Sequence, residues 1–250
     1  MAKEDIGPKL NVSYLTLRRM IGILGLALPV ILILVNILLH GSEKAWQSSI
    51  SHYYFSSGTV VFTGILISFG LLLISYRGYN PDPKLGERVS DNRWTNIAGV
   101  MALIVALVPT TPDERVIFPL SPNAHCESAL SWIHLGAAAS FFLIMGWVFL
   151  VKFTLMSPEA KAARTPKQLK RDELRSQIYK ICAYGIWAGL VFCLVVFLME
   201  DNGRLPHVLN EFGILIGEII MLVFLGVGWL VKSDSFNEVI SNMANKNTSD

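Results

Sequence analysis

Long apolar runs alternate along this chain with short polar stretches rich in turn formers. Six runs stand out, at residues 20–39, 58–76, 95–108, 129–151, 178–199 and 212–231. A helix needs roughly 20 apolar residues to cross a hydrocarbon core about 30 Å thick, and every run except the third has about that length. The third gains a full helical length if its polar ends are included, over 92–111, and Pro109 would stop it. It is therefore read as a true span. The first run ends in Leu38-Leu39-His40-Gly41 with no small-residue cleavage site, so the expectation is a retained first span and not a cleavable signal.

Composition fits this pattern. The chain is 52% hydrophobic and 16% charged, too apolar for an ordinary soluble domain, in which about a quarter of the residues are charged. Its 21 Lys and Arg residues are placed unevenly. With the N-terminus inside, 18 of them fall on inner segments, leaving Lys44, Arg115 and Arg204 outside. That asymmetry is the positive-inside rule, and it accounts for the basic loops without nucleic acid as a partner. The expected fold is all-α, a polytopic plasma-membrane protein with six transmembrane helices and both termini cytoplasmic. Residues 1–19 form an inner N-terminal segment, 20–232 the membrane domain and 233–250 a cytoplasmic tail. The basic stretch between the fourth and fifth spans reads as a short interfacial helix. Gly64, Gly70, Gly136, Gly185, Gly189, Gly213, Gly217, Gly226 and Gly228, with Ala137 to Ala139, are small residues suited to close helix packing. Cys126, Cys182 and Cys193 form no CxxC pair and read as packing residues. The oligomeric state stays open, a homo-oligomer included.

Candidate chemistry gathers at one end. All five histidines, His40, His52, His125, His134 and His207, fall on the expected outer side. In the fourth span, with Ser121 as cap and Pro122 at the first helical position, Glu127, Ser131 and His134 lie within about 60° of one another around the helix axis. His207, Glu211 and Glu218 make a second stripe within about 40° if Pro206 starts the last span. Glu218 then lies about 18 Å below Pro206, where an ionised carboxylate is costly unless paired or hydrated, so it should face the bundle interior. Ser68, Asn36 and Asn96 are its expected hydrogen-bond partners. Before the second span, Ser48-Ser49-Ile50-Ser51-His52-Tyr53-Tyr54 forms the other dense polar group. As a helix it would set Ser48, His52 and Thr59 on one face, with Tyr53 and Tyr54 joining Trp46 and Trp132 in an aromatic belt. The inner halves of the spans are apolar apart from Thr95, Asn96 and Tyr179, which favours a one-sided outer pocket over a conduit.

Three chemistries suit that cluster. His52, His134 and His207, with Glu127 or Glu211, carry the donor types for a zinc ion that would activate water against an outer-leaflet lipid. Without metal, His134 would be the general base, oriented by Glu127 or Glu211, with Ser48 or Ser51 as nucleophile. A proton- or ion-coupled carrier would use Glu218. The chain has no HExxH, HxxxH or GxSxG motif. The leading reading is a pocket for an outer-leaflet lipid or amphiphile, bound by Glu127, Ser131, His207, Glu218 and Tyr53.

The segments SISHYY, VALVPT, AHCESALSWIH with its AAAS, and GVGWLVK resemble a group of bacterial multispan proteins of unknown function near the FRAG/DRAM-type family. That resemblance implies six helices and a lipid connection. The spacing Ser48-xxx-His52 is also similar to the Ser-xxx-His of the alkaline ceramidase superfamily, whose zinc site implies amide hydrolysis in the membrane. The later His-xxx-His of that superfamily has no counterpart here.

Overall fold

The computed structural model describes residues 7–42, 45–78, 89–108, 110, 127–199, 205–237 and 239–240, with side chains from Tyr14 onward and, in the fourth span, from Ala129. Among them the chain is all-helical, with no strands. The helices are α1 (Gly7–His40), α2 (Thr59–Ser75), α3 (Asp91–Leu107), α4 (Glu127–Trp147), α5 (Pro158–Ala162), α6 (Pro166–Met199) and α7 (His207–Lys232). A 3-10 turn, Ser51–Phe55, precedes α2, and α4 runs on into a π-helical turn, Val148–Lys152. Each of the six long helices carries one of the six apolar runs. Four segments are long and apolar enough to cross a membrane, Tyr14–His40, Ala129–Lys152, Pro166–Met199 and His207–Lys232.

Helices α2 and α3 are shorter, 17 residues each, or about 26 Å. The third run was expected to be helical as far as Thr111, but α3 stops at Leu107 and Val108 is already extended. Pro109, Thr111, Ser121, Pro122 and His125 lie outside the described residues. The basic stretch after the fourth span is a short helix only in part. Ser157 caps α5 by accepting from the Ala160 amide, and Thr165 and Gln168 then form a reciprocal capping box that starts α6 at Pro166. Most of the basic residues between the spans therefore belong to the first turns of α6.

The six long helices form a closed ring in chain order, α1 to α2, α3, α4, α6, α7 and back to α1. Neighbours run antiparallel. Tyr14 stacks on Tyr76 at one end while Gly58 meets Leu32 towards the other, and Trp94 meets Trp147 while Val108 meets His134. Glycines let two of the seams close. A Cβ on Gly99 would sit 2.7 Å from the Gly70 carbonyl oxygen, and one on Gly226 2.8 Å from that of Gly22. Both obstacles are backbone and cannot swing aside. Gly64 and Gly136, also expected to pack closely, have open space where a Cβ would go. Cys182 is buried and Cys193 half-buried against α7, as packing residues would be.

A ring of six helices leaves a hollow axis that side chains must fill. At the end marked by the N-terminal part of α1, the filling is aromatic: Tyr76, Phe149, Phe153, Tyr179 and Trp229 pack with ring centroids 5.1–6.4 Å apart. At the opposite end it is the segment between α1 and α2.

Candidate functional site: a polar plug in the mouth of the helix ring

The segment after α1 does not run across the top of the bundle. It dips into the ring and returns: Ala45, Ser49, Ile50, Ser51, Tyr53 and Tyr54 are all buried. Backbone polar groups at such depth need partners, because lipid offers none. They find them on α7. The Leu215 amide donates to the Ser48 carbonyl at 3.0 Å, and the Ile50 amide donates to Glu218 Oε2 at 2.5 Å. Glu218 lies eleven residues into α7, about 16 Å from its start. The plug therefore reaches far below the helix end. His40 Nε2 and Ser57 Oγ, 2.6 Å apart, close the loop where it returns.

Tyr53 and Tyr54 are thus corrected from belt anchors to plug core. Tyr53 is fully buried and its hydroxyl donates to the Ala45 carbonyl at 2.9 Å, pinning the two limbs of the loop together. Trp46 and Trp132 are exposed. Thr59 does not share a face with Ser48 and His52; its hydroxyl contacts the carbonyls of Tyr54 and Ser56, both at 2.6 Å, and holds the turn into α2. The expected partners of Glu218 are also replaced. Ser68 donates to the Gly64 carbonyl of its own helix, and Asn36 is buried with both amide atoms unpartnered. Asn96, with its amide turned to suit its neighbours, donates to Asn92 and to the Ile74 carbonyl.

His134 meets the plug from α4, and it is buried. Its Nδ1 is 2.6 Å from the Val108 carbonyl and its Nε2 is 2.8 Å from Ser51 Oγ. A carbonyl can only accept, so Nδ1 carries the proton, and in the neutral ring Nε2 then accepts from the Ser51 hydroxyl. Early termination of α3 creates this arrangement, because Val108 sits where the helix runs out of amide donors for its last carbonyls. Serine, imidazole and an orienting acceptor thus stand in line, with Val108 at the position expected of Glu127 or Glu211 and Ser51, of the two expected serines, beside the imidazole.

The other expected site residues separate from this group. Ser48 and Ser49 stay within the plug, at 3.1 and 2.7 Å from His52 Nδ1, so the Ser48-xxx-His52 spacing is a local turn contact. His207 and Glu211 pair at 3.4 Å on the first turn of α7, with their side chains 89% and 51% exposed. Ser131 is half-buried one turn above His134, and the Glu127 side chain lies outside the described residues. His52, His134 and His207 thus have different surroundings. Among the described residues no three His, Cys, Asp or Glu side chains gather as a metal ion would need.

Beneath the plug lies a cavity of about 50 Å³ on the ring axis. Its walls come from α1, α2, α3, α4 and α7 and are apolar, Leu28, Phe62, Phe69, Phe141 and Leu222 among them; Ser51 and Glu218 are the polar side chains of the lining. The local signal for the plug was present in the sequence as Ser48 to Tyr54, but its depth was not. A search of protein-family models, curated proteins and solved structures finds no match to this chain.

Proposed function

We propose that the chain is a six-span plasma-membrane protein with cytoplasmic termini, whose outward-facing plug and axial cavity bind one end of a lipid-like amphiphile. The antiparallel ring supports six crossings, because neighbours of the four long apolar helices run alongside them in alternating directions. The distribution of Lys and Arg supports the orientation. Placing α2 and α3 as full crossings requires the buried plug to complete the outer part of the slab, which is the setting in which irregular backbone is tolerated at membrane depth.

One observation carries the ligand class: an otherwise apolar cavity has its two polar side chains, Ser51 and Glu218, beside the plug residue Ile50. At about 50 Å³ the space admits only the end of an amphiphile, one polar group beside Ser51 and Glu218 or the tip of a hydrocarbon chain, the rest lying outside it. Extraction of the purified protein and mass spectrometry of the bound lipid tests it. A single amphiphile retained in near-stoichiometric amount, and lost when Ala102→Leu fills the cavity from α3, is the expected result. Retention unchanged in that variant refutes the site. Cysteines introduced at Trp46 and Ser157 should label from outside and inside respectively; the reverse pattern refutes the orientation.

A second reading rests on the Ser51–His134–Val108 line. Its chemistry is acyl transfer: Ser51 Oγ attacks a lipid carbonyl carbon, and His134 Nε2 takes the hydroxyl proton and returns it to the leaving group. A fluorophosphonate probe should then label Ser51, and His134→Gln should abolish labelling. No labelling of folded protein leaves amphiphile binding without catalysis.

A further inference from the structure

The cavity beneath the plug is lined by a third polar group besides Ser51 and Glu218, and it comes from a broken turn of helix. Pro29 stands inside α1, and its ring has no N–H to give to the carbonyl four residues earlier. That carbonyl belongs to Gly25, which is buried and lines the same cavity. Helical carbonyls point towards the C-terminal end, which in α1 is the end that carries the plug. Lipid offers no substitute donor, so a carbonyl freed in this way must be satisfied from inside the bundle.

All three groups accept. Oε2 of Glu218 takes the Ile50 amide, leaving the second carboxylate oxygen for another donor. The Ser51 hydroxyl gives its one hydrogen to His134 Nε2 and turns only lone pairs to the cavity. The described lining contains no Lys, Arg, His, Asn, Gln, Tyr or Trp, so its side chains return neither a hydrogen-bond donor nor a positive charge. The rest of the wall suits the same guest. Phe62, Phe69, Phe141 and Phe142 line the cavity, and aromatic rings attract cations over their faces. The volume of about 50 Å³ holds about three or four groups the size of water, at roughly 10–15 Å³ each, enough for an ammonium and the carbon that bears it.

We infer that these oxygens hold a cationic group and, resting on the amphiphile reading above, that this group is the primary ammonium of a single-chain amine. The three hydrogens of an ammonium match the Gly25, Ser51 and Glu218 acceptors in number, and its charge pairs a carboxylate to which the lining gives no counter-charge. A hydroxyl headgroup brings one donor and no charge. A carboxylate or phosphate headgroup brings acceptors that the three oxygens repel. A monovalent metal ion shares the ammonium's charge and uses the same oxygens, as cations do at the freed carbonyls of broken membrane helices.

Full-length protein, delipidated in neutral detergent, is incubated with dodecylamine, dodecanol or dodecanoate, and the ligand retained after gel filtration is counted by mass spectrometry. A parallel arm titrates the protein with radiolabelled sodium ion. Dodecylamine should be retained about tenfold or more over the other two, the margin of a charge-assisted hydrogen bond, and Ala102→Leu should abolish its retention. Glu218→Gln keeps an acceptor for the Ile50 amide but removes the charge, and should weaken amine retention by the same factor. Pro29→Ala leaves every lining side chain in place and returns an amide to the Gly25 carbonyl, and should weaken it about fivefold. Dodecanol or dodecanoate retained as strongly as the amine, and lost in Ala102→Leu, overturns the inference while the amphiphile reading stands. Saturable sodium binding that Glu218→Gln removes, with no amine retained, supports the cation site and refutes the amphiphile. Binding of neither amine nor sodium overturns the inference, as does amine retention unchanged by both Glu218→Gln and Pro29→Ala.

Discussion

The hydrogen bond between Ser51 and His134 ties the plug to α4, and its worth can be isolated by substitution. His134→Ala removes an imidazole that is 4% exposed and leaves two groups, the part-buried Val108 carbonyl and the buried Ser51 hydroxyl, without their partners. Each orphaned group costs about 1–3 kcal/mol. Net values for hydrogen bonds between membrane helices are smaller, about 0.6 kcal/mol on average and up to about 1.7. The plug is not α-helical beyond a single 3-10 turn and is buried, so the upper part of that range applies to it. His134→Asn places an amide nitrogen near the Nδ1 position and keeps the Val108 bond; His134→Gln reaches the Nε2 position and keeps the Ser51 bond. Each should cost about 1–2 kcal/mol, and His134→Ala more than either. In the cycle with Ser51→Ala, the second substitution should be costly in the native background and nearly silent in His134→Asn, giving a coupling of about 1 kcal/mol. Reversible unfolding in mixed micelles, followed by tryptophan fluorescence, measures all five variants. A coupling below about 0.5 kcal/mol, within the scatter of independent sites, would refute the claim that this bond holds the plug.

Other consequences are as direct. Glu218→Gln keeps an acceptor for the Ile50 amide and should leave the plug seated, whereas Glu218→Leu orphans that amide, costs about 1–3 kcal/mol and should make a cysteine at Ser49 react with maleimide; equal protection in both variants would count against the latch. At the α2–α3 seam, Gly99→Ala drives a methyl against the Gly70 carbonyl and should cost about 1–3 kcal/mol in the same unfolding assay. Gly64→Ala meets open space and should be neutral or stabilising by up to about 1 kcal/mol. Tyr53→Phe loses the bond to the Ala45 carbonyl and should lower stability by about 1 kcal/mol, while Trp46→Phe, at an exposed position, should change it little.

The sequence by itself determined where the apolar helices lie, because an apolar run of span length is a local property of neighbouring residues. It did not place the start of α6, which the Thr165–Gln168 capping box sets at Pro166, twelve residues before the fifth apolar run. It did put Glu218 in the bundle interior, since depth along a helix follows from residue number alone. Pairing across the chain was beyond it. The Ile50 amide and the Glu218 carboxylate are 168 positions apart, and Ser51 and His134 are 83 apart. Nothing local distinguishes Ser51 from Ser48, or a tyrosine buried in a plug from one at the lipid interface. The end opposite the plug, where basic side chains line a second cavity, shows the same limit from the other side. Read one loop at a time, Arg18, Lys152, Arg175 and Lys232 are orientation signals in separate segments, and the inner half of the bundle looks like apolar filling. Closure of the ring turns four chain positions into one cavity wall, because charges distant in sequence interact only once packing has fixed the space between them.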